Sequence, residues 1–335
     1  MRSLISSFRR EFPDNMKRYL LFLLLLFFTS SCEKIEANNY EPHLLDKDPL
    51  LTSGSVYIAV LGDIQTYTNN NSYMPYLQHT MDWLFSQKRY GYSIDCILQV
   101  GDVTNNNTPV QWERFKNVTG PIAKEILYVA CTGNHDYDWE GSNINNRTST
   151  RINDYALFPL TKANIIASFE PGKIENVVVS LMIHDEPYDL IVLEFGPRTE
   201  ILKWADDYVS SRPNRKFILM THEFLTAKGV RSSYIKNWNS PEQVWQHLVK
   251  DNDNIVCVLC GHNGFSAKLF SKNSAGREVP QILFNLQYQV NGGDGWVQLW
   301  EFPEQSDSVT VSIYNTIRRE FHTDPSTSFK FRYRY

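Results

Sequence analysis

YVACTGNHDYD, residues 128–138, ends an apolar run with an amide, an imidazole and a carboxylate in succession. A strand buried in a core that finishes in Asn134, His135 and Asp136 puts three polar side chains at its tip. One such cluster decides nothing; its repetition does. SVYIAVLGD closes at Asp63, DCILQVGD at Asp102, RKFILMTHE carries His222, and NIVCVLCGH closes at His262. A further run, YDLIVLEFGPR, ends near Arg198.

Apolar runs without polar alternation mark strands buried on both faces. The segments between them, MPYLQHTMDWLFSQKR and EILKWADDYVSS, carry apolar residues at helical spacing. Strand–helix–strand connections give parallel pairing with right-handed crossovers. Parallel strands bring their C-terminal ends to one edge of the sheet, and ligands bind outside that edge. Asp63, Asp102, Asn134, His222 and His262 are therefore predicted to converge. Capping and wet loops explain any one polar tip, but five in one chain point to a shared site.

The 335 residues, 42% hydrophobic, suffice for one large domain or two small ones. A net charge of -4 offers no broad basic surface, so no nucleic-acid partner is indicated, whereas a small anionic substrate is compatible. MKRYLLFLLLLFFTSSC, residues 16–32, has the order of a bacterial secretory signal: basic, apolar, then small residues. Its apolar run is shorter than the roughly 20 residues of a membrane span. The expected organisation is a signal peptide over 1–31 with Met16 as the true start, a lipid-anchored tether over 32–52 beginning at a lipidated Cys32, and one domain over 53–335. The expected location is a bacterial envelope, exported and membrane-anchored, at the periplasm or cell surface. Cys96, Cys131, Cys257 and Cys260 sit in apolar runs and read as small buried hydrophobes; Cys257 and Cys260 form a lone C-x-x-C, a weak zinc signal.

Two aspartates, an asparagine and two histidines are ligands for divalent metals. Asp102 can bridge two ions. Two ions about 3.5–4 Å apart clamp the attacking and leaving oxygens of an in-line displacement and lower the pKa of a bound water. His135, next to Asn134, is placed to give a proton to the leaving oxygen.

The series GD, GD, GNHD, H and GH resembles the calcineurin-like metallophosphoesterase superfamily, over roughly residues 56–335. LEFGPRTEILKWA, RKFILMTHEFL and NLQYQVNGGDGWVQLWEF look like a branch of secreted bacterial members. The resemblance implies a four-layer α/β/β/α sandwich with two mixed sheets and the metal site at the C-terminal ends of strands. It implies one metal on Asp102, Asn134, His222 and His262, and that set is complete. The other metal implies Asp63, the residue two after it, Asp102 and a second histidine in G-H-x-H. Here the sequence departs: Gln65 follows Asp63, GHNG puts Gly264 where that histidine belongs, and Asn105 stands where an aspartate is usual. Loss of both imidazoles leaves an oxygen site of Asp63, Asp102 and Gln65, suited to hard ions. One tight ion (Zn, Fe or Mn) and one weaker ion (Mn or Mg) are expected, and Asn263 is a candidate substitute ligand.

The segment after GNHD is rich in Asn, Ser and Thr and reads as a loop beside the metals. Arg147 and Arg151 are candidates to grip substrate phosphate, or else solvated loop arginines. Tyr67, Asn69 and Asn105 are further candidate substrate contacts. NGGDGW reads as a structural turn, and His43, His79, His184, His247 and His322 as surface or helix histidines. The tail SFKFRYRY alternates aromatic and basic residues, a strand with one charged face that discourages edge pairing. The expected activity is hydrolysis of a small phosphate ester by a metal-bound hydroxide, with Asp102 and His135 catalytic and His135 the general acid. The alternative is a degenerate, non-catalytic surface lipoprotein that binds a phosphorylated or glycan ligand. No obligate protein partner is evident.

Overall fold

Among the described residues, fourteen strands assemble into two seven-stranded mixed sheets. The structure, a computed structural model, describes residues 40–137, 149–233 and 238–334. Asn39–Tyr335 form one compact unit. The first sheet contains β1 (Val56–Leu61), β2 (Ser93–Gln99) and β3 (Leu127–Ala130). The second is built from β4 (Ile165–Ser168), β5 (Val177–Ile183), β6 (Glu186–Val192), β7 (Lys216–Met220), β8 (Ile255–Cys260), β9 (Phe265–Lys272) and β10 (Glu278–Asn285), in the order β4-β5-β6-β7-β8-β10-β9. The chain then returns to the first sheet with β11 (Trp296–Phe302), β12 (Ser308–Asn315), β13 (Glu320–Phe321) and β14 (Phe329–Arg332). That sheet runs β13-β12-β11-β1-β2-β3, with β14 also on β12.

The strands that carry the polar tips pair in parallel, as their helical connections require. β1 pairs with β2 through Val60↔Leu98, and β2 with β3 through Leu98↔Val129. In the other sheet β6, β7, β8 and β10 form a parallel set. The connections are the helices Met74–Arg89, Pro109–Ile122 and Thr199–Ser210, and Pro241–Val244 continued by a π-helical turn. Pro109–Ile122 begins with a proline, whose missing N–H costs nothing there, and the Thr108 hydroxyl accepts from the Gln111 N–H. Thr199–Ser210 buries Ile201, Leu202, Ala205 and Val209, one face of a 3.6-residue repeat.

The absence of polar alternation has a direct cause. Ile218 and Met220 of β7 pack into the core shared with the first sheet, whereas Phe217 and Leu219 pack under the helix layer. Both faces are dry from Phe217 to Met220, so these four positions are apolar, and each fully buried side chain of this kind contributes about 1.5–3 kcal/mol relative to exposure. This is the expected α/β/β/α order of layers.

The tether expected over 32–52 does not hold for its second half. Asp48 is fully buried; it accepts from Trp83 Nε1 at 3.0 Å and from the Tyr314 hydroxyl, and its N–H donates to Gln87 Oε1 at 2.7 Å. The His43 N–H donates to Asp82 Oδ1 at 2.7 Å. A polar, proline-marked stretch looked like a spacer; its carboxylate is in fact a buried acceptor. The expected signal peptide and Cys32 lie outside the described residues. Among the described residues no helix is long and apolar enough to cross a membrane. The four other cysteines are buried and free. The tail strand is as expected: Phe331 and Tyr333 are buried while Lys330 and Arg332 are exposed.

Candidate metal centre

Each candidate ligand follows the end of a parallel strand: Asp63 after β1, Asp102 after β2, Asn134 after β3, His222 after β7 and His262 after β8. The first three come from one sheet and the last two from the other, so the site bridges the two sheets. Backbone and side-chain hydrogen bonds fix it. The His135 N–H donates to Asp102 Oδ1 at 3.0 Å, and the His262 N–H to Asp63 Oδ1 at 3.1 Å. Asp136 is buried and accepts from the N–H groups of Val103, Thr104 and Gly133, tying the loops after β2 and β3 together.

Close approach demands glycine at two places. A Cβ on Gly133 would lie 2.1 Å from Asp102 Oδ1, and one on Gly101, whose φ is +98°, would lie 2.5 Å from His222 Nδ1. Asp102 (φ 46°) and His262 (φ 68°) adopt left-handed backbone without being glycine. Such strain persists where surrounding structure imposes it, and it concentrates at functional sites.

His222 is wholly buried and its Nδ1 lies 2.6 Å from the Val100 carbonyl oxygen. Nδ1 therefore carries a proton and donates, which turns Nε2 inward, the usual orientation of a metal-binding imidazole. Nε2 lies 3.3 Å from Asp102 Oδ1 and 3.2 Å from His262 Nδ1. Donor atoms of Asp102, His222 and His262 all lie within 4.8 Å of one another. Ligands on spokes of about 2.0–2.2 Å around one cation are at most about 4.4 Å apart, so little movement is needed. Asn134 Oδ1 is buried and without a hydrogen-bond partner. A buried amide oxygen left unpaired is costly unless a cation satisfies it. These four residues fit a divalent metal.

The electrostatics show the demand for positive charge at this point, which a proton on His222 Nε2 meets until a cation displaces it. Burial alone would raise the Asp102 carboxyl, but His222, with help from His135 and His262, brings it down to about 2. Burial disfavours the charged form of His222, yet Asp102 and Asp63 outweigh it and push the imidazole up to about 10. Burial, with His222 alongside, holds His262 down to about 4, keeping its nitrogen available as a ligand. Burial and the charge of Asp102 raise Asp136 to about 6, against the backbone N–H groups that favour its ionised form. Phe195 forms an apolar wall, its ring centroid 5.8 Å from those of both His222 and His262.

His135 is half-buried, and its Nδ1 lies 2.8 Å from the Asn105 carbonyl oxygen. With Nδ1–H donating there, proton exchange falls to Nε2. Asn105 thus serves the site through its backbone, while its side-chain amide donates to Asn106 Oδ1 at 3.0 Å. The candidate substrate contacts fare unevenly. Tyr67 is buried, and its hydroxyl accepts from the Gly295 N–H at 3.2 Å. It packs beneath the NGGDG turn and is not a substrate contact: the ring is needed for the core. Arg151 is exposed and its Nε donates to the Asn107 carbonyl oxygen at 3.0 Å. Asn263 donates to the Leu225 carbonyl oxygen at 2.8 Å, so its amide nitrogen is committed elsewhere. Arg147 lies outside the described residues.

Two residues escaped the sequence reading. Asn285 closes β10, and Gln287 follows it. Asn285 Nδ2 donates to Asp63 Oδ2 at 2.5 Å, and Gln287 Nε2 donates to the same oxygen at 3.0 Å. The signal that finds them is the one already used: β10 is parallel to β8 and ends in a polar residue at the same edge.

The sequence pattern described as calcineurin-like phosphoesterase matches residues 56–263. The chain belongs to the calcineurin-like phosphoesterase family. It is 23% identical over 282 residues to the uncharacterized protein YvnB of Bacillus subtilis, covering 82% of this chain and 21% of that protein. It is 34% identical over 73 residues to probable inactive purple acid phosphatase 27 of Arabidopsis thaliana, covering 22% of this chain and 12% of that protein. The chain thus spans about a fifth or less of these curated relatives. Among solved structures, a 5'-nucleotidase precursor from Thermus thermophilus matches 82% of this chain and 54% of its own, at 12% identity and a TM-score of 0.45.

Proposed function

We infer that the chain hydrolyses a small phosphate ester at a divalent-metal centre held by Asp102, Asn134, His222 and His262. The observation that carries this reading is the convergence of Asp102, His222 and His262 donor atoms within 4.8 Å, joined by the unpaired buried oxygen of Asn134. A cation bound there supplies charge stabilisation to phosphoryl oxygens and lowers the pKa of water. The chain supplies the rest. Val100 sets the His222 tautomer, and Gly101 and Gly133 allow the loops to close on Asp102. Asp136 braces the loop that holds Asn134 and His135. His135, oriented by the Asn105 carbonyl, delivers a proton from Nε2 to the departing oxygen. The donor set, two imidazoles with a carboxylate and an amide oxygen, suits Zn, Fe or Mn.

The test is turnover of nitrophenyl phosphate and of its bis-ester with Mn²⁺, Mg²⁺ and Zn²⁺, which also separates monoesters from diesters. Turnover that His135→Ala and Asp102→Asn both remove supports the reading. Absence of turnover with every metal rejects it.

A second reading is favoured by the missing imidazoles at positions 65 and 264. A degenerate member would bind a phosphorylated or glycan ligand without cleaving it. Retained ligand binding with no turnover in the same assay would establish it. We also infer export and anchoring through a lipid on Cys32. Cys32→Ala should move the protein from the membrane to the soluble fraction; an unchanged distribution rejects the anchor.

A further inference from the structure

The metal-binding half of the site has unsatisfied acceptors. The half around Asp63 has fewer to spare, and the difference lies in three amides. Asp63 Oδ2 accepts from Asn285 Nδ2 and Gln287 Nε2, which uses both of its lone pairs. Asp63 Oδ1 accepts from the His262 N–H. Across the site, Gln65 Nε2 donates to Asp102 Oδ2 at 3.2 Å.

The orientation of the Asn285 amide is set by its other end, and those of Gln287 and Gln65 by the carboxylates they face. Asn285 Oδ1 accepts the Gln287 N–H at 3.1 Å, so the Asn285 NH₂ must face Asp63. The same NH₂ donates to the His262 carbonyl oxygen at 3.2 Å. Gln287 Oε1 accepts from the Thr66 hydroxyl at 3.3 Å, with its NH₂ toward the carboxylate. A carboxylate only accepts, so oxygens in these places would repel it. At the position of the absent histidine, a Cβ on Gly264 would meet the ring of the exposed Tyr288 at 2.7 Å, so a side chain there requires that ring to move.

We propose that the centre holds one divalent cation, and that the amides of Gln65, Asn285 and Gln287 stand where the family's second cation would lie. Their N–H dipoles present partial positive charge to Asp63 and Asp102, in fixed directions. What stays unclaimed on that side is the Gln65 carbonyl oxygen, one lone pair of Asp63 Oδ1 and one of Asp102 Oδ2. A hard ion that takes six oxygens is not held by so little. The expected weak second ion gives way to a built-in substitute.

The proposal rests on the metal-centre reading, and the experiment separates the two. The purified chain is reconstituted with Mn²⁺, and bound metal is counted while the Mn²⁺ spectrum is recorded by electron paramagnetic resonance through a titration. One ion per chain is expected, with an uncoupled spectrum even at saturation. A second ion with an exchange-coupled spectrum would overturn the proposal and leave hydrolysis standing. No bound ion would overturn the centre and the proposal together. One ion without ester turnover would sink the hydrolase reading alone. The double substitution Asn285→Asp with Gln287→Glu turns two donors into acceptors and should raise the count from one to two. A folded variant, checked by its thermal melt, that still binds one ion removes the amides as the cause. The unaltered chain decides the stoichiometry even if this variant fails to fold.

Discussion

Two halves of one site are built by the same topological rule and end in opposite chemistry. Around His222, the strand tips present acceptors to one another: Asp102 Oδ1, two imidazole nitrogens and an unpaired Asn134 oxygen. Such a cluster is stable only with positive charge at its centre. Around Asp63, the strand tips present donors to an acceptor, and neutral amides satisfy the carboxylate. Topology decides where side chains meet. It does not decide whether the meeting place wants a cation. That is settled residue by residue, by which groups accept and which donate.

The largest effect should come from Asp102, the residue that both halves share. Asp102→Asn removes the charge that His222 and His262 face and exchanges an acceptor oxygen for a donor. Retained metal should fall close to zero, and turnover by about 10³-fold or more. Metal counting on the folded variant checks it. Undiminished metal content would mean that Asp102 does not organise the centre.

His135→Ala should be smaller and cleaner. The His135 N–H to Asp102 is backbone and survives the substitution, so metal content should not change. kcat should fall by about 10²–10⁴-fold, the range for loss of a positioned general acid. Activated nitrophenyl esters, whose leaving groups need little protonation, should show the low end. A uniform loss across leaving groups would argue against proton transfer by His135.

Much of this was legible beforehand for a physical reason. Strands buried on both faces hold few polar residues, so GD, GNHD and GH stand out at their ends. Asp63, Asp102, Asn134, His222 and His262 were found that way, and so was the parallel order; the layers came from the resemblance to the family. Tyr67 was misjudged because a tyrosine in a polar stretch gives no sign of which loop will cover it. Residues 40–52 were misjudged because a lone buried aspartate looks like a solvated one until Trp83 and Tyr314 close on it. Asn285 was missed because FNLQ carries no acid or imidazole. Only the register of β10 beside β8 reveals its destination.

Asp48 offers the counterpart to Asp102: a buried carboxylate whose partners are all structural donors. Asp48→Ala strands the Trp83 N–H and the Tyr314 hydroxyl in a dry interior. Leaving such groups unpaired costs about 1–3 kcal/mol each, so stability should drop by about 3 kcal/mol. Denaturant unfolding measures the drop, while metal content should stay at its unaltered level. Metal loss at full stability would show that the N-terminal segment acts on the site and not on the fold.

The smallest effect should come from Asn263, the residue best placed by sequence to replace the missing histidine. Its amide nitrogen donates to the Leu225 carbonyl oxygen, which ties the loop after β8 to the one after β7. With its amide nitrogen anchored there, the side chain is expected to brace the two loops and not to hold an ion. Asn263→Ala should therefore cost one hydrogen bond, about 1 kcal/mol, with bound metal and turnover unchanged. A fall in bound metal would place Asn263 in the coordination shell. It would also mean that the poorer half of the site keeps a ligand of its own, which would erase the distinction between the two halves.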